Sequence, residues 1–182
     1  MDQQTLYKSL SNVSQCTSGT FLLEEKDTSA TLNKVSICNV PIGALIIKMD
    51  VIEFDKLFKT TKVWGFNKHS DYLIITDDML VFIEMKSATE ISQKTLDDCL
   101  LKFKSDKCTL FYADKIFEEM LSKGPFFENR EPHFVLFYQN PPITKTPTSL
   151  GTDISVLPNT TPKTFRKIPV ANEGTVSFFR TI

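Results

Sequence analysis

The chain has 182 residues, of which 41% are hydrophobic and 24% charged, and its formal net charge is −1. This composition excludes a chain that is disordered overall, and no apolar stretch reaches the roughly 18–20 residues of a membrane span. The first residues also lack the basic and apolar regions of a secretory signal. We therefore expect one cytoplasmic domain over residues 1–182, with no membrane partner, a core at about residues 42–140 and a C-terminal extension at 141–182.

The cysteines and histidines do not form a zinc motif. The four cysteines are scattered without a C-x-x-C pair, and His69 and His133 do not complete a zinc-ligand spacing. We expect reduced cysteines that act as small buried hydrophobes, and a loop role for His69 rather than that of a catalytic base.

The N-terminal third alternates short apolar runs with turn signals. Leu6, Leu10 and Val13 recur at helical intervals within residues 1–20, which predicts a short amphipathic helix. Strands are predicted at residues 20–25, 34–40 and 44–49, because turn residues separate these runs. A basic segment without a sustained period follows at residues 56–68 and is predicted to be a surface connection.

Two adjacent buried strands are predicted at residues 71–76 and 79–86. Both runs are almost continuously apolar, which indicates burial on both faces, and Asp77 and Asp78 between them form a tight turn. Ser92 then caps a helix whose apolar positions run to Phe103, and a second helical pattern spans residues 110–121. Strands at 134–138 and 175–180 enclose a proline-rich loop at 141–162, so we predict an α/β fold with a mixed central sheet flanked by helices.

Three ionisable residues lie on these two strands. Asp71 starts the first strand, and the spacing of two between Glu84 and Lys86 places both on one face of the second. If the strands pair antiparallel, Asp71 lies near Glu84 and one cation can sit between the two carboxylates. Carboxylates of this kind hold Mg²⁺, which polarises a phosphate and activates a water that a lysine orients or deprotonates. The backbone carbonyl of Met85 is a further candidate ligand, and an ordinary ion pair at the end of the sheet is the alternative.

These residues resemble the pattern of the PD-(D/E)XK nuclease superfamily, in which an Asp opens one strand and an acidic-x-Lys triplet lies on the next, followed by a helix. The matching residues are Ser70-Asp71, Glu84-Met85-Lys86 and the helix from Ser92, so the resemblance covers about residues 42–117. It implies a restriction-endonuclease-like core, Mg²⁺ or Mn²⁺ as cofactor, and cleavage of DNA or, less often, RNA.

The chain departs from that pattern at two points. Ser70 stands where the family usually has Pro, which shapes the backbone and supplies no ligand. The acidic residue that some members carry on an upstream helix has two candidates, Glu53 and Asp50, so one-metal and two-metal catalysis both stay open. Gln93, just inside the following helix, is either an accessory polar residue of the site or a surface residue.

The basic residues near the C-terminus are candidates for phosphate contacts. Lys163, Arg166 and Lys167, with the lysines of residues 56–68, either follow a nucleic-acid backbone or form a solvated face. The expected function is a metal-dependent endonuclease or exonuclease that works with a partner protein or as a homo-oligomer; a role in defence against foreign nucleic acid rests on analogy alone. The alternatives are an inactive nuclease-fold subunit that binds nucleic acid or a protein, and an unrelated interaction module.

Overall fold

The computed structural model describes residues 13–25, 30–51, 67–139 and 158–182. Over these ranges the chain forms nine strands, one long α-helix, α1 (Gln93–Leu121), and short 3₁₀ turns at Met49–Val51 and Phe178–Arg180. The strands are β1 (Val13–Gln15), β2 (Thr20–Glu24), β3 (Lys34–Cys38), β4 (Leu45–Lys48), β5 (Tyr72–Ile75), β6 (Met79–Lys86), β7 (Glu131–Gln139), β8 (Arg166–Val170) and β9 (Gly174–Ser177). The predicted α/β class and mixed sheet are confirmed.

The strands form two sheets. The larger has the order β1-β4-β5-β6-β7-β8, and the smaller has the order β2-β3-β9. In the larger sheet β5 is antiparallel to both of its neighbours, β4 and β6, whereas β6, β7 and β8 are parallel. Parallel neighbours need a crossover connection, and α1 supplies it between β6 and β7.

The larger sheet is covered on both faces, which explains the unbroken apolar runs of β5 and β6. On one face, Ile74 and Ile83 share an apolar cluster with Leu23 and Val35 of the smaller sheet. The opposite face packs against α1 in a second cluster, to which the helix contributes Cys99, Phe103, Leu110 and Phe117. The order of layers is therefore small sheet, large sheet, helix.

The prediction of two helices over residues 92–121 is wrong, because α1 is continuous. No Gly or Pro interrupts the segment between Phe103 and Leu110, so nothing in it stops the helix. The predicted start is confirmed, since the Ser92 side chain accepts a hydrogen bond from the Thr95 amide at 3.2 Å. The helix ends before the predicted Gly stop, where Ser122 adopts a left-handed conformation with φ of 50°.

Two short strands were not predicted. β1 includes Val13, which the sequence pattern assigned to a helix, and β8 follows directly on the proline-rich segment. The last predicted strand is shorter than expected, because β9 ends at Ser177 and a 3₁₀ turn follows. The predictions for Leu6, Leu10, Glu53 and the lysines of residues 56–62 lie outside the described residues. Among the elements that are described, no helix has the length and apolar character needed to cross a membrane.

Candidate functional site

The register of the large sheet places Asp71 beside Glu84. Tyr72 pairs with Ile83 in the antiparallel β5–β6 ladder, and the Asp71 amide donates to the Ile83 carbonyl at 3.0 Å. The ladder ends at this pair, with Asp71 directly before Tyr72 and Glu84 directly after Ile83, and the charge of Glu84 acts on Asp71, so the two acids lie close together at the end of the ladder. Glu84 is two residues from Phe82, so the two side chains point to the same face of β6, and Phe82 packs against α1. Both carboxylates therefore lie on the helix side of the sheet.

Glu84 is a fully buried carboxylate held by two lysines. Its Oε1 accepts from Lys86 Nζ at 2.6 Å and from Lys102 Nζ at 2.7 Å. Lys86 comes from the same strand and Lys102 from α1. The second oxygen, Oε2, is buried without a hydrogen-bond partner among the residues that the structure describes. Burial raises the pKa of Glu84, and the charges of Lys102 and Lys86 offset part of that rise.

The two lysines are protonated. Burial alone would lower the pKa of Lys86 and of Lys102, but the negative charge of Glu84 acts in the opposite direction, and the pKa of both groups lies above its ordinary value. Each ammonium group therefore stays protonated at neutral pH.

Asp71 is buried as well, and it is neutral at pH 7. Burial and the nearby negative charge of Glu84 raise its pKa from 3.8 to about 8. Its Oδ2 accepts from the Met85 amide at 2.6 Å, so the backbone of Met85 lies at the site while its side chain packs on the opposite face. Asp71, Glu84 and Lys86 are thus brought together with the backbone of Met85.

The segment that leads into Asp71 is held by α1. Asp106 is fully buried, and its Oδ1 lies 2.8 Å from His69 Nδ1 while its Oδ2 accepts from the Ser70 amide at 3.1 Å. His69 is therefore a buried residue of the loop before β5, and it is paired with an acid. Because Asp106 holds the two residues before Asp71, it fixes where that carboxylate enters the site.

Sequence reasoning missed Lys102 and Asp106. Both follow Cys99 at helical intervals, three and seven residues later, so they lie on the inward stripe of α1 with Phe103. Charged residues on an apolar helical stripe are the signal that could have identified them, because a buried charge requires a partner.

A third lysine lies at the outer part of this cluster. Lys68 forms an ion pair with Asp98 of α1. Burial would raise the pKa of Asp98, but the bond to Lys68 and the charges of Lys86 and Lys102 hold that pKa below its ordinary value. Three lysines therefore lie near the acids of this cluster.

The remaining predicted residues do not all lie together. Lys163 and Lys167 line a cavity of about 200 Å³ beside α1, and Gln93 lines it too. Arg166 does not join them, because its guanidinium donates to the backbone carbonyls of Arg180 and Ile182. Asp50 forms an ion pair with Lys48 at 3.6 Å, and Glu53 lies outside the described residues.

The site offers few protein ligands to a divalent cation. No group of three or more His, Cys, Asp and Glu residues that could hold a metal occurs in the described part of the chain. Mg²⁺ needs fewer protein ligands, since it is commonly bound through one or two carboxylates and keeps several waters. Asp71 and Glu84 meet that requirement, because Glu84 Oε2 is unpartnered within the described ranges and Asp71 holds a proton that a cation can replace.

Comparison with protein-family models, with curated proteins and with solved structures gave no match to this chain. The function is therefore inferred from the site itself.

Proposed function

We propose that the chain is a metal-dependent nuclease that hydrolyses phosphodiester bonds, with DNA favoured over RNA. The observation that carries the proposal is the state of Glu84: a fully buried carboxylate opposite Asp71, with two lysines on one oxygen and no described partner for the other. A buried oxygen without a partner is costly, and a cation shared with Asp71 removes that cost.

The topology supports the same proposal. The antiparallel strands β4, β5 and β6 are followed by α1 and by β7, which is parallel to β6. An Asp that opens one strand, an acidic-x-Lys triplet on the next and a following helix are the features on which the resemblance to PD-(D/E)XK nucleases rests. A restriction-endonuclease-like core is therefore part of the proposal.

When bound, Mg²⁺ or Mn²⁺ supplies a Lewis acid for the scissile phosphate and a water of lowered pKa. Asp71 and Glu84 would hold the ion, and the raised pKa of Asp71 means that this carboxyl group would bind it in the deprotonated form. The backbone carbonyl of Met85 remains a candidate ligand.

The two lysines have different roles in this proposal. The Lys86 side chain is 29% exposed and that of Lys102 is 18% exposed, so Lys86 lies closer to solvent and to an incoming substrate. We assign to Lys86 the orientation of the attacking water and the stabilisation of charge on the phosphate. Lys102 is a positioning residue, because it orients Glu84 from the helix.

A cleavage assay tests the proposal. The purified protein is incubated with linear DNA, circular DNA and RNA in Mg²⁺, in Mn²⁺ and in EDTA. We expect degradation with either metal and none in EDTA. Glu84→Gln should abolish it, whereas Glu90→Gln, which changes an exposed acid in the loop before α1, should retain it. No cleavage of any substrate with either metal, in a correctly folded protein, would reject the proposal.

One observation favours a second function, that of an inactive nuclease-fold subunit that binds nucleic acid or a protein. With Asp71 neutral, the negative charge of Glu84 is already met by the two ammonium groups of Lys86 and Lys102, so the cluster does not need a metal for its charge balance. In that case Mg²⁺ should leave the melting temperature unchanged, because only a ligand that binds the folded state stabilises it. A partner protein or a homo-oligomer, and a role in defence against foreign nucleic acid, belong to both proposals.

A further inference from the structure

A cavity lies beside the candidate site, and the proposed cleavage chemistry does not involve it. It lies between the N-terminal half of α1 and the segment that enters β8, and its volume is about 200 Å³. Its walls are the apolar side chains of Leu96, Leu100 and Phe165. We propose that this cavity receives one unpaired base of a nucleic-acid strand, so that the strand is single-stranded where it crosses the site. The proposal rests on the proposed nuclease function for the identity of the strand.

The apolar walls suit a base. Proteins that hold an extruded or unpaired base stack it against aromatic and apolar side chains, because every base has an aromatic face. The Phe165 ring is held in place by an edge-on contact with Phe103, with ring centroids 5.5 Å apart. A fixed ring gives a stacking surface at little cost in side-chain entropy. The volume of about 200 Å³ is sufficient for a single ring system.

The lysines at the rim of the cavity can contact the phosphate backbone of the same nucleic-acid strand. Lys163 and Lys167 line the cavity and are exposed to solvent. Lys167 pairs with Leu136, which pairs with Glu84, so the three residues lie on one rung of the sheet. Two strand spacings separate Glu84 from Lys167, about 10 Å in all. A strand with one phosphate at Glu84 can therefore place a neighbouring phosphate at Lys167 and the attached base in the cavity.

The remaining lining residues can read the base edge. Gln93 Nε2 donates to Asp97 Oδ1 at 2.9 Å on the first turns of α1, which fixes an amide beside a carboxylate at the cavity. A carboxylate accepts from the exocyclic amine of cytosine, and an amide pairs well with adenine. Bases with an exocyclic amine should therefore be preferred to thymine.

The test measures binding without cleavage. Fluorescence anisotropy in EDTA gives the affinity for a labelled single strand, for the matching duplex and for the RNA strand of the same sequence. We expect the single strand to bind at least about tenfold tighter than the duplex, since stacking of one base is worth that much. The DNA and RNA arms identify which strand the cavity accepts.

Two variants separate the cavity from general charge. Leu100→Trp fills the cavity and should reduce single-strand affinity to the duplex level, whereas Met120→Trp, at an exposed position near the end of the same helix, should not. Asp97→Ala alters an exposed residue and should remove the preference for cytosine over thymine even if Leu100→Trp fails to fold.

The outcomes distinguish this proposal from the nuclease itself. Equal affinity for single strand and duplex, or a folded Leu100→Trp protein that binds single strands like the unmodified chain, overturns the base cavity and leaves the cleavage assay untouched. A single-strand preference that Leu100→Trp removes, in a protein that cuts nothing with Mg²⁺ or Mn²⁺, supports the cavity and rejects the nuclease.

Discussion

The proton on Asp71 offers a direct test of the buried site. Asp71→Asn keeps the shape of the side chain and an oxygen that can accept from the Met85 amide, but it removes the titration. The unmodified chain should lose stability as pH rises, relative to this variant, because ionised Asp71 is buried beside the charge of Glu84.

The magnitude follows from the two pKa values of the same group. The pKa of Asp71 is 3.8 without its surroundings and about 8 in the fold. Since the folded value is raised, the stabilisation is complete below the unfolded pKa and declines as pH rises towards the folded pKa. The slope is about 1.4 kcal/mol per pH unit, so the loss between about pH 5 and about pH 7 is about 3 kcal/mol.

Urea denaturation in EDTA, at several pH values, measures this difference between the two proteins. The gap in free energy of unfolding should change by about 3 kcal/mol over that range, in favour of Asp71→Asn at the higher pH. Saturating Mg²⁺ should flatten the profile of the unmodified chain, because the cation takes the place of the proton. Parallel profiles of the two proteins in EDTA would refute a protonated Asp71 at neutral pH.

Four further predictions concern single substitutions in and near the candidate site. Lys86→Ala should lower the cleavage rate by about 10²–10³ but keep Mg²⁺ binding, measured by calorimetry. Lys102→Ala should lower the free energy of unfolding by about 2 kcal/mol, because Glu84 loses a charged donor. If Lys86→Ala cuts DNA at the unmodified rate, the lysine is not catalytic. Asp106→Ala should cost about 3 kcal/mol in urea denaturation, since His69 and the Ser70 amide lose their buried partner; an unchanged midpoint would show that this contact does not hold the segment. Lys167→Glu should weaken nucleic-acid binding and reduce the salt dependence of the affinity by about one phosphate contact. An unchanged salt dependence would show that the nucleic-acid backbone does not contact Lys167.

The pairing of β5 with β6 could be predicted from the sequence because local signals agree. Two apolar runs flank a tight turn at Asp77 and Asp78, so the antiparallel register follows from the turn. The spacing of two between Glu84 and Lys86 then gives the face that both occupy. Asp71 opposite Glu84 is a consequence of the same register.

The contribution of α1 could not be predicted in the same way. Helical periodicity shows that Lys102 and Asp106 face inward, but it does not show which groups they meet, because that depends on how the helix docks across the sheet. β8 was missed for a different reason. Pro169 interrupts its alternation and cannot donate to a ladder, which is acceptable here because β8 is the edge strand of the larger sheet.

The position of α1 in the chain has a consequence for the order in which the protein becomes functional during synthesis. Asp71 and Glu84 leave the ribosome before Lys102 and Asp106, and until α1 packs against the sheet the two acids belong to a hairpin open to water. An open hairpin has neither the buried oxygen of Glu84 nor the raised pKa of Asp71, because both depend on burial. The buried cluster around Asp71 and Glu84 is therefore complete only after the crossover helix has docked.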